Sequence, residues 1–413
     1  MEKVKFDKVG FNLHQGVCPN NGLKVIVAPV FNAKEVKAGL YIDRGGMARD
    51  YFIGNTRIYP GTANLLVKSL LTKYPAKCEK LFGDEIDLKG YVEESFTTIS
   101  YKTKTEKALD LIEPLLSLVD DLSISNDEVE RIKMSYKEDI EQSELTAPNL
   151  IRKNLYIKSP MGKNPTGNLE DLKKVHLVAL KRFFETFYQI KNMTLIVTGN
   201  ISPDEVFEVA NAHRFNRIKS ERAIRLQKID DADGSLNSAL SFDGPNNTLI
   251  LGLKFPKREV LFNMFGDNLF SYYALLQASL FSKVNTKTSS ILKSIVNIGQ
   301  GGIKQGGEDA FLYQTFEVGD MNQGMAEIKE FLSTNKIISR MDFRNLKSTC
   351  FERNLEIYKN DVDEYFNILC EDYANRFASQ AITTAIKKIK YAKYIKFLDY
   401  LLKSPISFVA EKN

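Results

Sequence analysis

Three histidines, four cysteines and scattered carboxylates are what the chain offers for metal or nucleophilic chemistry. His14, His176 and His213 lie far apart, with no two within one helical turn, so a metal site built on paired imidazoles has little to draw on. Cys18, Cys78, Cys350 and Cys370 form no C-x-x-C pair, and their spacing suits reduced, partly buried thiols better than a disulfide framework or a zinc site. No Ser-His-Asp or Cys-His arrangement can be assembled. Spacing singles out a different pair. Asn64 and Lys68 stand four residues apart beside an apolar stripe of Ala63, Leu66, Val67, Leu70 and Leu71, on a helix predicted over 61–71 with Pro60 and Gly61 as its entry. Two side chains at that spacing are how a helix face presents paired metal ligands. A neutral amide and an ammonium are poor at that task. Glu138, Asp139 and Glu141 lie on a later helix, capped by Ser125-Asn126-Asp127-Glu128, where a solvated face is the simpler reading.

The elements that must position these residues belong to an ordinary globular chain. At 413 residues, 43% hydrophobic and 26% charged, it is long enough for two domains of about 200 residues each. The net charge of +5 is the small difference of 57 basic and 52 acidic residues, so no dedicated nucleic-acid stripe is indicated. The polar amino terminus lacks the apolar core of a secretory signal and nowhere do eighteen apolar residues run together, so neither a membrane span nor export is expected and a cytoplasmic location is. Gly299 to Gly307 is glycine-rich but lacks G-K-[ST], which leaves a loop or hairpin turn as the expectation and nucleotide binding as improbable. Lys387, Lys388, Lys390, Lys393 and Lys396 interleave with Ile389, Tyr391 and Tyr394; an amphipathic helix with lysine on its wet face is the simpler account, an anionic surface the other.

In chain order, strands are predicted at 23–30, 36–43, 88–101 and 193–198, with helices near 61–71, 106–122, 179–188 and from Ser202-Pro203 onward. The polar region 214–245 reads as a linker between domains at 1–213 and 246–413. The second half then repeats the first. Asn64 to Lys73 aligns without gaps to Ala274 to Lys283, matching Leu65/Leu275, Leu66/Leu276, Ser69/Ser279, Leu70/Leu280 and Lys73/Lys283. Phe184, Phe187, Met193, Leu195 and Ile196 fall on Phe397, Tyr400, Ile406, Phe408 and Val409 at nearly the same offset, each time as helix then strand. Between these matches the second half is predicted to hold strands at 248–255 and 310–318 and helices at 289–296, 325–331, 341–358, 365–377 and 387–402.

This layout resembles the pitrilysin family of metallopeptidases, to which insulysin and the mitochondrial processing peptidase belong. The resemblance is carried by Asn21-Gly-Leu-Lys-Val-Ile-Val-Ala-Pro29, by Asp43-Arg-Gly-Gly46, by Gly61-Thr-Ala-Asn64 and by Phe187-Tyr-Gln-Ile-Lys-Asn-Met-Thr-Leu-Ile-Val-Thr-Gly199 leading into Ser202-Pro-Asp-Glu-Val206. It implies an α+β fold of two homologous domains, each a mainly antiparallel sheet with helices packed on one face. It also implies that such bowls pair to enclose a chamber for unfolded peptides, with the chemistry on one of them. Family enzymes hold zinc through an inverted H-x-x-E-H motif and a later acidic residue. Here the three motif places are Asn64, Val67 and Lys68, and the third ligand falls near Glu138 or Asp139, a vestigial carboxylate.

Lys68 would set an ammonium where a dication belongs, and Val67 cannot serve as the general base. The resemblance therefore implies no catalytic residue, no metal and no cofactor in this chain. It points to an inactive zinc-peptidase homologue whose partner is an active homologous zinc peptidase subunit, or a second copy in a homodimer, together binding unfolded peptide along a strand edge near 91–101. A structural scaffold that keeps the fold without peptide binding stays open as the alternative, with an active metallopeptidase of atypical site behind it.

Overall fold

The computed structural model describes residues 2–6, 11–46, 50–73, 86–157, 159–216, 224–226, 238–241, 247–266, 269–281, 285–306, 309–334, 337–374 and 379–412. Fifteen strands are seen among them: β1 (Glu2–Phe6), β2 (Phe11–Val17), β3 (Lys24–Pro29), β4 (Glu35–Ile42), β5 (Tyr51–Ile53), β6 (Thr56–Ile58), β7 (Asp87–Val92), β8 (Thr97–Lys104), β9 (Met193–Gly199), β10 (Ile224–Leu226), β11 (Ser238–Ser241), β12 (Asn247–Lys254), β13 (Ile295–Gly306), β14 (Asp309–Val318) and β15 (Ile406–Lys412). The α-helices are α1 (Thr62–Leu71), α2 (Ile112–Leu118), α3 (Asn126–Glu144), α4 (Ala147–Leu155), α5 (Leu169–Lys174), α6 (Leu177–Phe187), α7 (Pro203–Ala212), α8 (Arg258–Phe265), α9 (Leu269–Ser279), α10 (Thr286–Ile291), α11 (Met321–Ser333), α12 (Arg340–Asn360), α13 (Val362–Ala374), α14 (Ser379–Lys388) and α15 (Tyr391–Leu401). Among the described residues no helix is long and apolar enough to cross a membrane.

The chain forms two compact units. The first comprises 1–141, 164–228 and 355–379; the second comprises 142–163, 229–354 and 380–413. Each therefore includes a segment from the other half of the sequence. The region 214–245, read as a linker, lies for the most part outside the described residues; within it β10 pairs with β5 and β11 with β15.

In the first unit the main sheet runs β1-β2-β3-β9-β4-β8-β7, with β3 and β9 parallel and the other pairs antiparallel. Alternation in β4 sends Val36, Ala38, Leu40 and Ile42 into a core shared with α1, α2, α6 and α7, while Tyr41 faces α13 on the other side. Gly39 lies beneath that helix: a Cβ there would come within 2.6 Å of Phe366 Cζ. The second unit repeats the plan as β11-β15-β12-β14-β13, again with one parallel pair, β11 with β15. On β12, Leu249 lies against α11 at Gly324, whereas Ile250 packs with Ile151 of α4. A Cβ on Gly252 would sit 2.2 Å from Ile151 Cγ1. The five strands β11-β15-β12-β14-β13 thus match β3-β9-β4-β8-β7 in order and direction, the first sheet having β1 and β2 in addition, and each sheet also holds one helix against its second face.

Several sequence expectations need correction. The run 88–101 is not one strand but the hairpin of β7 and β8, closed where Glu93 N–H donates to the Phe96 carbonyl at 2.9 Å; period-two alternation survives a tight turn, so it hides the reversal. The helix expected over 289–296 ends at Ile291, and β-branched Ile295 and Val296 begin β13 instead. The glycine run from Gly299 is no loop. It lies within β13, where Gln314 Nε2 donates to the carbonyls of Gly299 and Gln300, and a Cβ on Gly301 would meet Gln314 Oε1 at 2.1 Å. The helix expected over 106–122 is reduced to α2, preceded by two short 3-10 turns, and that over 387–402 is broken at Ile389-Lys390 between α14 and α15.

Candidate functional site

α1 starts abruptly because Gly61 takes a left-handed conformation (φ 85°) and lies so close to Thr166 that a Cβ would be 2.6 Å from its carbonyl oxygen. Tyr136 Oη on α3 donates to the same carbonyl at 2.8 Å. The start of α1, the loop at 166–167 and the middle of α3 are thereby tied together. Burial, and after it the charge of Asp139, push the Tyr136 phenol well above its usual range, so it stays a neutral donor.

Asn64 and Lys68 occupy the half-buried flank of α1, one turn apart. Lys68 Nζ lies 2.5 Å from Asp139 Oδ2 and 5.4 Å from the Tyr136 ring centre; the two charged side chains are 32% and 46% exposed. Asn64 Oδ1 is buried with no hydrogen-bond partner among the described residues, facing Gly46, where a Cβ would be 3.3 Å away. Val67 turns from these two. It is 3% exposed and packs on β7 so closely that a Cβ on Gly90 would come 2.1 Å from its Cγ1. Glu138 is exposed on α3, and Asp139 is the carboxylate that meets Lys68.

This donor set does not fit a divalent metal. The ammonium of Lys68 already supplies the positive charge that Asp139 faces, Asn64 offers one neutral oxygen, and Val67 fills the base position with methyl groups. The three imidazoles stand elsewhere. His14 is on β2, opposite Val27; His176 precedes α6; His213 follows α7, buried with Nε2 3.1 Å from Asp120 Oδ2 and Nδ1 3.7 Å from Glu113 Oε1. That last pairing was not legible from spacing, since its members come from separate elements. Cys18, Cys350 and Cys370 are buried free thiols; burial pushes Cys18 up to about 11 and raises the other two. Cys78 lies outside the described residues.

β7 is the edge of the first sheet: among the described strands it pairs with β8 alone. Tyr91, on this edge strand, is 55% exposed, and its hydroxyl donates to Glu93 Oε1 at 2.6 Å. A second charged cluster holds α13 to the same sheet on its other face. Asp363 accepts from Lys37 Nζ and Lys102 Nζ, each at 2.9 Å, and Lys102 also meets Glu35 at 3.0 Å.

Comparison with known proteins accords with this geometry. Residues 174–289 match the family model described as the Peptidase M16 inactive domain. A zinc protease, PqqE of Helicobacter pylori, is 30% identical over 106 residues, which is 24% of this chain and 24% of that protein. Among solved structures, one from Alicyclobacillus acidocaldarius described as an M16-like peptidase superposes with a TM-score of 0.81 at 15% identity, covering 98% of this chain and 99% of that one. The first half of the periplasmic protease PqqL from Escherichia coli gives 0.72 at 15% identity, covering 100% and 93%. At such identities the structural likeness shows the fold, that of M16-like peptidases; the family-model match over 174–289 and the zinc protease relative add a sequence similarity to the pitrilysin-type, M16 peptidases over those parts of the chain.

Proposed function

We propose that this chain is a non-catalytic peptidase homologue that pairs with a zinc-bearing homologue and supplies part of the surface enclosing an unfolded peptide. The observation that carries the reading is the Lys68–Asp139 ion pair, which sets a fixed side-chain cation between α1 and α3 where hydrolysis would need a metal and a base. Peptide would add as an extended strand to β7, the outermost described strand of its sheet, with backbone hydrogen bonds giving affinity and Tyr91 a side-chain contact. The zinc protease relative is of the kind that such a partner would be.

The test is a titration of fluorescently labelled unfolded peptides into the chain, alone and mixed with a homologous active zinc peptidase. Saturable binding, with cleavage seen only in the mixture, is the expected result. Absence of saturable binding in both samples would count against the chamber and leave a scaffold role.

A further inference from the structure

The second unit packs together three helices rich in exposed basic residues. The Arg340 guanidinium of α12 lies 5.6 Å over the Tyr391 ring of α15. Lys347 Nζ donates to the carbonyls of Lys387 and Ile389, both at 2.7 Å, tying α12 to the junction of α14 and α15. Lys387 Nζ sits 3.5 Å from the centre of the Phe351 ring. Residues 340–354 and 384–403 together carry ten basic and three acidic side chains, a larger excess than the +5 of the whole chain. Asp342 is buried and accepts from Thr286 Oγ1, and Glu352 accepts from Ser348, which leaves Asp399 as the exposed acid of α15. Arg344, Lys387, Lys388, Lys390, Lys393 and Lys396 are exposed and without an ion-pair partner among the described residues.

Fold stability accounts for Lys387 and Lys388, which sit in the last turn of α14 where a helix end favours cations, but not for the lysines that open α15. Lys390 caps α15 and Lys393 stands in its first turn, which has no acid, although a helix start favours negative charge. The apolar side of α15 is spent on the core through Tyr394, Phe397, Leu398 and Leu401, so the helix cannot insert into lipid. Nor is an aromatic face free to stack a nucleic-acid base: Tyr391 donates to the Ile338 carbonyl and lies between Arg340 and Phe343. The exposed apolar group bordering the patch is the flexible thioether of Met341, 72% exposed.

We infer that this face binds peripherally to the anionic surface of a lipid bilayer. Lysines on long stems are drawn to negative headgroups without a fitted pocket, and the attraction is screened by salt. Co-sedimentation with vesicles of phosphatidylcholine, alone or mixed with phosphatidylglycerol, tests it. The full chain should partition to the mixed vesicles at low salt, ignore the neutral ones and come off at high salt. The variant K388E/K390E/K393E should lose at least about tenfold in partition. A variant with the same charge change on the first unit, K173E/K181E/K191E, should bind within about twofold of the parent. Thermal melts check folding, and K390E/K393E should melt no lower than the parent because the reversals suit the helix start. No partition of the parent to anionic vesicles, equal losses in the two triple variants, or preferential capture of a short oligonucleotide would each overturn the assignment.

Discussion

The α1 helix and its counterpart α9 are the same frame with different side chains. Burial along Gly61–Leu70 and Ser271–Leu280 agrees position by position, with Asn64 and Lys68 half-buried in one and Ala274 and Ala278 half-buried in the other. The single difference falls at Val67, buried, against Gln277, exposed. α9 has only alanine methyls on its flank, whereas α1 keeps a polar flank closed by an ion pair to α3. Duplication conserved the packing that the sheet demands and left the flank free to change chemistry. The exchanged helices carry the same lesson: α13 and α4 lie on the second faces of their sheets, and each meets a glycine, Gly39 or Gly252, in the strand beneath.

The largest expected effects come from breaking those two contacts. Gly252→Val and Gly39→Val place a Cβ against Ile151 and against Phe366 with Ser100, and each should cost about 2–3 kcal/mol in denaturant unfolding. Gly301→Ala is the contrast, because its obstacle is the tip of the flexible Gln314 side chain; the cost there should stay below about 1 kcal/mol. Equal costs at all three would dissolve the distinction between a helix-covered strand and an edge strand. Next is Gly90→Ala, expected to lose about 1–3 kcal/mol through its clash with Val67, and to recover part of it in the double variant V67A/G90A. Without that recovery, the buried valine would not be what excludes a Cβ from β7.

A smaller effect belongs to the ion cluster that anchors α13. Burial works to raise the Asp363 carboxyl, but hydrogen bonds from Lys102 and Lys37 outweigh it and the pKa is lowered. A folded pKa below the unfolded one gives stability that is present above pH 4 or so and is lost as pH falls through the folded value. Asp363→Asn should therefore cost about 1 kcal/mol at neutral pH and flatten the acid side of the melting curve; an unchanged acid slope would remove the cluster from the account. Smallest of all, Lys68→Met should shift stability by less than about 1 kcal/mol, because its ion pair is half exposed. A large loss would mean that the pair is structural and not a remnant.

Much of this was readable beforehand. Strand β9, the capped helix α7 and the match of Asn64–Lys73 to Ala274–Lys283 follow from local periodicity and turn chemistry, and the fold class follows with them. The positions Asn64, Val67 and Lys68 were legible because a helix places them by spacing alone; that Lys68 would close on Asp139 depended on α3 crossing nearby. The assignment of α4 and α13 to the other half's sheet was not readable, because long-range packing leaves only a mid-strand glycine as its trace. The strand through Gly299–Gly306 was missed for a related reason: glycine usually weakens a strand, and here Gln314 and Thr315 donate hydrogen bonds to the carbonyls of Gly299 and Gln300.

The central claim is that the cation between α1 and α3 is Lys68 and not a metal. Metal content of the purified chain, with hydrolysis of unfolded peptides followed on the same sample with and without added zinc, tests it most directly. Zinc well below stoichiometric and no turnover sensitive to a chelator is the result predicted. About one zinc per chain together with chelator-sensitive cleavage would contradict it, and would mean that Asn64, Lys68 and Asp139 rearrange to hold a metal.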